Sequence, residues 1–219
     1  MYRYERKFKL PGEYYNQIKN KIELHGWFQH FKERKVNNIY FDDSNFNIYS
    51  DSINGHLDKE KYRIRWYGNL FLNKNEEAIP SNFEIKIKRD LLNYKKIYKF
   101  GNLKILKNQT YSSLNRCIKK QITNNIHDLN IRYIENLEPQ FINQYTREYY
   151  IDLKGEIRLT IDRNLSYHAI RPSINYIGKI SEIIIELKFT STSVYKNFIL
   201  KSNLIQNSKF MSGIDRLML

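Results

Sequence analysis

The stretch FEIKIKRD, positions 83–90, alternates Glu84, Lys86 and Lys88 with Phe83, Ile85 and Ile87. In an extended chain successive side chains point to opposite faces, so the three charges line one side about 7 Å apart and the three apolar groups line the other. The spacing recurs in Tyr62-Arg63-Ile64-Arg65-Trp66, in Glu5-Arg6-Lys7, in Arg158-Leu159-Thr160-Ile161-Asp162 and in Ile185-Glu186-Leu187-Lys188-Phe189. One such strand reads as half-buried with a wet outer face. Five of them, three with Glu-x-Lys, read as a shared ionic surface. Its groups are Lys7, Arg63, Arg65, Lys86, Lys88, Arg158 and Lys188 against Glu5, Glu84, Glu186 and Asp162. If these faces converge inside a barrel, burial costs several kcal/mol per ion unless pairs or a ligand compensate it. The surplus is cationic, and carboxylates remain for a divalent metal. That combination suits a chain of phosphates with its metal: arginine forks clamp phosphate oxygens, lysines supply point charge, and hard oxygen ligands hold Mg²⁺ or Mn²⁺.

The elements that must carry these groups follow from periodicity and punctuation. Strands are expected at Tyr2–Leu10, Val36–Phe41, Lys59–Tyr67, Asn82–Arg89, Tyr94–Phe100, Gln140–Asp152, Glu156–Asp162 and Lys179–Phe189. Pro11 and Gly12 lead into a helix over Glu13–Leu24 that stops at Gly26. Leu114, Ile118, Ile122 and Ile126 recur four apart, which predicts an amphipathic helix over Thr110–Ile126. A last helix is expected over Ser193–Gln206, with Lys209 just beyond it, and Asn73–Asn82 reads as a loop. Strands outnumber helices in antiparallel succession, so the class is α+β around an antiparallel sheet or barrel. At 219 residues, with no repeat or linker, residues 1–219 read as a single domain.

At these same residues the sequence resembles a known family. Glu-x-Lys at the start, Tyr-x-Arg-x-Arg, FEIKIKR, RLTIDR, IIELKF and SKFMSGIDRL follow one another from residue 3 to 217. Together they are similar to the catalytic domain of the vacuolar transporter chaperone (VTC), a polyphosphate polymerase of the CYTH, or triphosphate tunnel metalloenzyme, superfamily. The resemblance implies an eight-stranded antiparallel β-barrel with flanking helices, a tunnel whose walls bind the triphosphate of ATP and the growing polyphosphate. It implies that Lys7, Arg63, Arg65, Lys86, Arg158 and Lys209 bind phosphate, and that Glu186 holds the metal. A further basic residue after FEIKIKR falls on Lys95 or Lys96. The phosphate-binding set is therefore Lys7, Arg63, Arg65, Lys86, Lys88, Lys96, Arg158, Lys188 and Lys209. Lys86, Arg158 and Lys209 are the catalytic candidates, and Glu186, Glu5 and Glu84 the metal candidates.

The remaining signals narrow the class. A net charge of +14 and a pI near 9.6 favour anionic partners. Neither GxxxxGK[ST] nor GxGxxG occurs, which excludes a P-loop or Rossmann nucleotide site. His25, His30, His56, His127 and His168 lack metal-motif spacing. One cysteine, Cys117, excludes an intramolecular disulfide. No apolar run reaches the roughly 18 residues of a membrane span, and the charged start favours a cytoplasmic protein. The leading expectation is transfer of the γ-phosphoryl of ATP to a polyphosphate end, with Mn²⁺ or Mg²⁺ as cofactor. Hydrolysis of triphosphate or a nucleoside triphosphate in the same tunnel is the second, and a non-catalytic module binding polyphosphate, nucleotide or RNA the third. The expected partners are ATP and polyphosphate or triphosphate, without sequence-specific nucleic acid.

Overall fold

A computed structural model describes residues 4–89, 92–126, 135–189 and 208–219. The helix expected over 193–206, and His127, lie outside the described residues. The strands are β1 (Tyr4–Leu10), β2 (Phe28–Asp42), β3 (Lys59–Tyr67), β4 (Ile79–Arg89), β5 (Leu92–Leu103), β6 (Glu138–Ile151), β7 (Ile157–Ala169), β8 (Asn175–Ile180) and β9 (Ile183–Phe189). The helices are α1 (Tyr15–Leu24), α2 (Asn47–Ile53), α3 (Tyr111–Asn125) and α4 (Lys209–Met218). The strands pair in the order β1-β9-β7-β6-β2-β3-β4-β5, with β8 on β7. The fold is thus α+β on an antiparallel sheet. Its described strands number nine, not eight, and their pairing path has two ends. The extra strand arises because the run expected over Lys179–Phe189 breaks at Ser181-Glu182 into β8 and β9. No helix among the described residues is long and apolar enough to cross a membrane.

Two compact units separate within the chain. The first comprises Met1–Lys35, Tyr145–Leu165 and Lys179–Ser208. Its core is the apolar side of the alternating strands: Phe8 from β1, Leu159 and Ile161 from β7, Ile185 and Leu187 from β9. Ile18 and Ile22 of α1, four apart and so on one side of the helix, close that core together with Trp27. Gly12, in the 3₁₀ turn before α1, is required there because a Cβ would lie 2.2 Å from the Ser181 carbonyl oxygen. β2 begins eight residues earlier than Val36, and Phe28–Lys35 is exposed throughout, so that half carries no burial pattern by which a sequence could reveal it.

The second unit comprises Val36–Gln144, Ser166–Gly178 and Lys209–Leu219. Ile64, Phe83 and Phe41 are buried on one side of its strands, with the Phe41 and Phe83 rings edge to face. In α3, Thr110 caps the N-terminus by accepting from the Ser113 amide at 3.4 Å, and Leu114 and Ile118 are buried. Lys209 opens α4, whose buried side holds Phe210, Gly213 and Ile214. The tip of the Phe141 ring abuts Gly213, where a Cβ would come within 2.2 Å of its Cε2 and Cζ. Gly213→Ala is therefore expected to cost about 1–3 kcal/mol by overpacking. Urea unfolding should show a lower midpoint at an unchanged slope.

Candidate functional site

Register decides which side chains share a face, because residues directly opposed across a ladder stand on the same side of the sheet. In the second unit Lys59 opposes Lys88, Lys61 opposes Lys86, Arg63 opposes Glu84 and Arg65 opposes Asn82. Lys86 in turn opposes Lys95. On β2, Tyr40 opposes Arg63 and Asn38 opposes Arg65. One face of β3, β4 and β5 thus presents Lys59, Lys61, Arg63, Arg65, Lys86, Lys88 and Lys95 around the carboxylate of Glu84. Like charges stand in direct opposition in the pair Lys59–Lys88 and in the row Lys61–Lys86–Lys95. Such pairs are unfavourable in the absence of a counter-charge.

Glu84 is buried at the centre of this face. Its Oε2 accepts from Arg63 Nε at 2.8 Å and Nη2 at 2.5 Å, with Arg65 Nη1 at 3.9 Å. Its Oε1 takes Lys95 Nζ at 3.1 Å. Burial alone would raise this carboxyl, but Arg63, Arg65 and Lys95 outweigh it and bring it down to about 2. Arg63 Nη1 also donates to the Tyr40 hydroxyl at 3.3 Å. Tyr40 stacks on Phe141, with ring centroids 5.2 Å apart, and lies 5.8 Å from Phe210. Lys61 Nζ sits 5.1 Å from the Phe210 centroid. Phe210 thereby seats the first turn of α4 on the cationic face. Tyr49 of α2 donates to Asp215 at 2.5 Å, which ties α4 down at its other end.

The first unit has its own ionic face. Lys7 opposes Glu186 and Glu5 opposes Lys188 across β1 and β9. Arg158 opposes Lys188, and Thr160 opposes Glu186, across β7 and β9. Lys188 Nζ lies 2.6 Å from Glu186 Oε1, Lys7 Nζ 3.8 Å from Oε2, and Lys7 is also 2.7 Å from Glu5 Oε1. Arg147 binds Asp162 through two parallel bonds, Nε to Oδ1 at 2.5 Å and Nη2 to Oδ2 at 2.7 Å. Burial pushes the Glu186 carboxyl up, and Lys188, Lys7 and Arg147 overcome it to hold the group well below the usual range. The next residues along β6 and β7 point the other way and repeat the device. Arg163 Nε donates to Glu148 Oε1 at 2.8 Å, and Tyr15 and Tyr150 each donate to Glu148 at 2.7 Å.

The expected site residues therefore divide between two faces. Arg63, Arg65, Glu84, Lys86 and Lys88 share one; Glu5, Lys7, Arg158, Glu186 and Lys188 share the other; Lys209 stands at the start of α4. Lys96 is a correction. It opposes Ile85, on the apolar side of β4, and the basic residue that reaches Glu84 is Lys95. Counting two along the strand from Lys95 leads to Ile97 and Lys99, so parity relative to β4 was the missing information. Arg147, Asn38 and Lys61 are residues that sequence reasoning passed over. Arg147 stands next to Glu148 in QYTREYYI, and nothing in that string says which of the two charges faces which side.

Among the described residues no three His, Cys, Asp or Glu side chains are grouped as a metal cage. Both oxygens of Glu84 are taken by cations, which fits a role in ordering those cations more than one in holding a metal. Glu186 and Glu5 are both in contact with Lys7, so they stand close enough to act together. Glu186 is nevertheless engaged through both oxygens by Lys188 and Lys7, so with Glu5 it would hold Mg²⁺, completed by phosphate oxygens and water, only once those ammonium groups move aside.

A model of the VTC domain matches residues 2–218 of the chain. A comparison with curated protein sequences finds no match. Among solved structures, a Vibrio parahaemolyticus protein described as a proposed adenylate cyclase superposes with a TM-score of 0.52 at 8% identity, covering 100% of this chain and 99% of its own. That likeness concerns the fold alone. The Schizosaccharomyces pombe Mediator head module gives a TM-score of 0.45 at 8% identity, over 88% of this chain and 84% of the other, and carries no argument.

The depressed Glu84 carboxyl has a measurable consequence. A folded-state value lowered from 4.5 to about 2 corresponds to about 3 kcal/mol of stability. That contribution is fully present above pH 4.5 and is lost as the pH falls towards 2. Glu84→Gln should therefore be less stable than the parent at neutral pH, and the gap should narrow over that window. Chemical unfolding at a series of pH values checks it.

Proposed function

The chain belongs to the VTC domain family, and from that premise and its cationic sheet faces we propose that it transfers the γ-phosphoryl of ATP to a polyphosphate end, releasing ADP. The observation that carries this reading is the row Lys61–Lys86–Lys95 beside Arg63 and Arg65, five cations grouped around the one carboxylate of Glu84, a surplus of positive charge that a chain of phosphates matches. Arginine forks fix phosphate oxygens in two directions at once, and the lysines add charge without demanding one geometry. The acceptor is a phosphate oxygen already ionised at neutral pH, so no side-chain nucleophile or base is required. Catalysis is then alignment of acceptor, phosphorus and leaving oxygen, with neutralisation of the charge spread over the transferring group. The bond from the γ-phosphorus to its bridging oxygen breaks as the new anhydride bond forms. Lys86 and Lys209, both of the second unit, are assigned to the transferring phosphate. Glu186, with Glu5, would hold Mn²⁺ or Mg²⁺, which when bound supplies further shielding of phosphate charge.

A second reading, a polyphosphate- or nucleotide-binding module without turnover, is favoured by one observation. Glu186 is already engaged by Lys188 and Lys7, which a metal would have to displace.

Purified protein incubated with ATP and Mn²⁺ or Mg²⁺, assayed for both long-chain polyphosphate and free phosphate, separates the readings. Polymer is the expected product. Free phosphate alone would make the chain a triphosphatase, and neither product with any nucleotide would leave the binding module. Glu186→Gln should lower metal-dependent turnover by about two orders of magnitude, since one electrostatic element at a transition state is often worth ~3–4 kcal/mol. It should leave tripolyphosphate binding in place. Tripolyphosphate should raise the melting temperature more than an equal concentration of phosphate, because only the longer anion spans several cations.

A further inference from the structure

The cationic face of the second unit extends one row further along its strands. Asn82, which opposes Arg65 on β3, also opposes Lys99 on β5. The row Arg65–Asn82–Lys99 therefore stands on the same side as Glu84, Lys86 and Lys95. Ile97 lies between Lys95 and Lys99, opposes Glu84 and so faces that side too, where it is 55% exposed. Lys99 is exposed and makes no ion pair among the described residues. The half-buried Asn82 makes no side-chain hydrogen bond among them either.

The backbone under this row is firmly held. The register of β4 on β5 shifts between Ser81 and Asn82, directly beside it. Ser81 Oγ donates to the Gly101 carbonyl at 2.8 Å, and Gly101 takes a φ of 110° that favours glycine. From α3, Asn125 Nδ2 donates to the Phe100 carbonyl at 2.7 Å and Gln121 Nε2 to the Asn102 carbonyl at 2.9 Å. These contacts fix β5 just beyond Lys99. Irregularities of this kind re-aim side chains beside binding sites.

A phosphate chain offers only acceptors and negative charge. It gains nothing from an exposed isoleucine, nor from the carboxamide oxygen of Asn82, which is itself an acceptor. A nucleoside offers hydroxyls and base edges that donate as well as accept, and carbon faces that pack on an apolar side chain. We infer that Asn82, Ile97 and Lys99 form a subsite that takes the nucleoside of the phosphoryl donor and so distinguishes ATP from inorganic tripolyphosphate. Asn82 bonds a ribose hydroxyl or base edge, Ile97 covers a carbon face, and Lys99 meets the phosphate next to the ribose. The rows then order the donor along the strands, with the nucleoside at Asn82 and the transferring phosphate two rows on at Lys86. This rests on the phosphate-transfer reading above.

Calorimetric titration of the parent and of Asn82→Ala with ATP and with inorganic tripolyphosphate, in one metal-free buffer, tests it. Asn82→Ala is expected to raise the Kd for ATP at least fivefold relative to the Kd for tripolyphosphate. An equal change for both anions, or none, overturns the inference. So does a larger loss for tripolyphosphate, which would make this a phosphate subsite. If Asn82→Ala does not fold, Ile97→Ser on the exposed side of β5 serves instead. It should shift the same ratio at least threefold, and a parental ratio there overturns the inference as well. In each of these failures a parent that binds tripolyphosphate leaves the phosphate reading standing. A parent that binds neither anion overturns that reading and this inference with it.

Discussion

A strand that buries one row of side chains must display the other, and that constraint governs this protein. Where Phe83, Ile85 and Ile87 go inward, Glu84, Lys86 and Lys88 are obliged to share the opposite side. Pairing then fixes who meets whom, and on β3, β4 and β5 it sets lysine against lysine. Each such opposition is unfavourable by a few tenths to about 1 kcal/mol. The apolar face offsets it: the burial of Ile64, Phe83, Ile85 and their neighbours keeps the ladder in register despite the repulsion on its other side. The ionic face is thus tolerated by the core.

The carboxylates on these faces read best as organisers of the cations. Glu84 gathers Arg63, Arg65 and Lys95, Asp162 locks Arg147 through two parallel bonds, and Glu186 holds Lys188 and Lys7. Cations with fixed orientation lose less freedom when a ligand arrives, which is why a preset array binds more tightly than the same charges on mobile stems. Glu148, on the other side of β6, performs the corresponding task for Arg163 and two tyrosines, and there it steadies the packing of α1.

How much of this was legible in the sequence follows from what each signal encodes. Period two in FEIKIKR and YRIRW was enough to assign Glu84, Lys86, Lys88, Arg63 and Arg65 to one kind of face, because alternation is local. Lys95 against Lys96 was not legible, since both sit in a run of lysines and the answer lies in register with β4. Arg147 was hidden by the same ambiguity beside Glu148. The early start of β2 escaped because Phe28–Lys35 is exposed on both sides and leaves no apolar rhythm. The α4 helix was overlooked because SKFMSGIDRL contains a glycine, whose place is explained only by the Phe141 ring lying against it.

The central claim is that the cationic row receives a phosphate chain. Lys86, at the middle of Lys61–Lys86–Lys95, is the place to measure it. The measurement is the melting temperature of Lys86→Met and of the parent, each with and without inorganic tripolyphosphate. The account expects the variant to gain clearly less than the parent when the anion is added. A variant that gains as much from tripolyphosphate as the parent would contradict it.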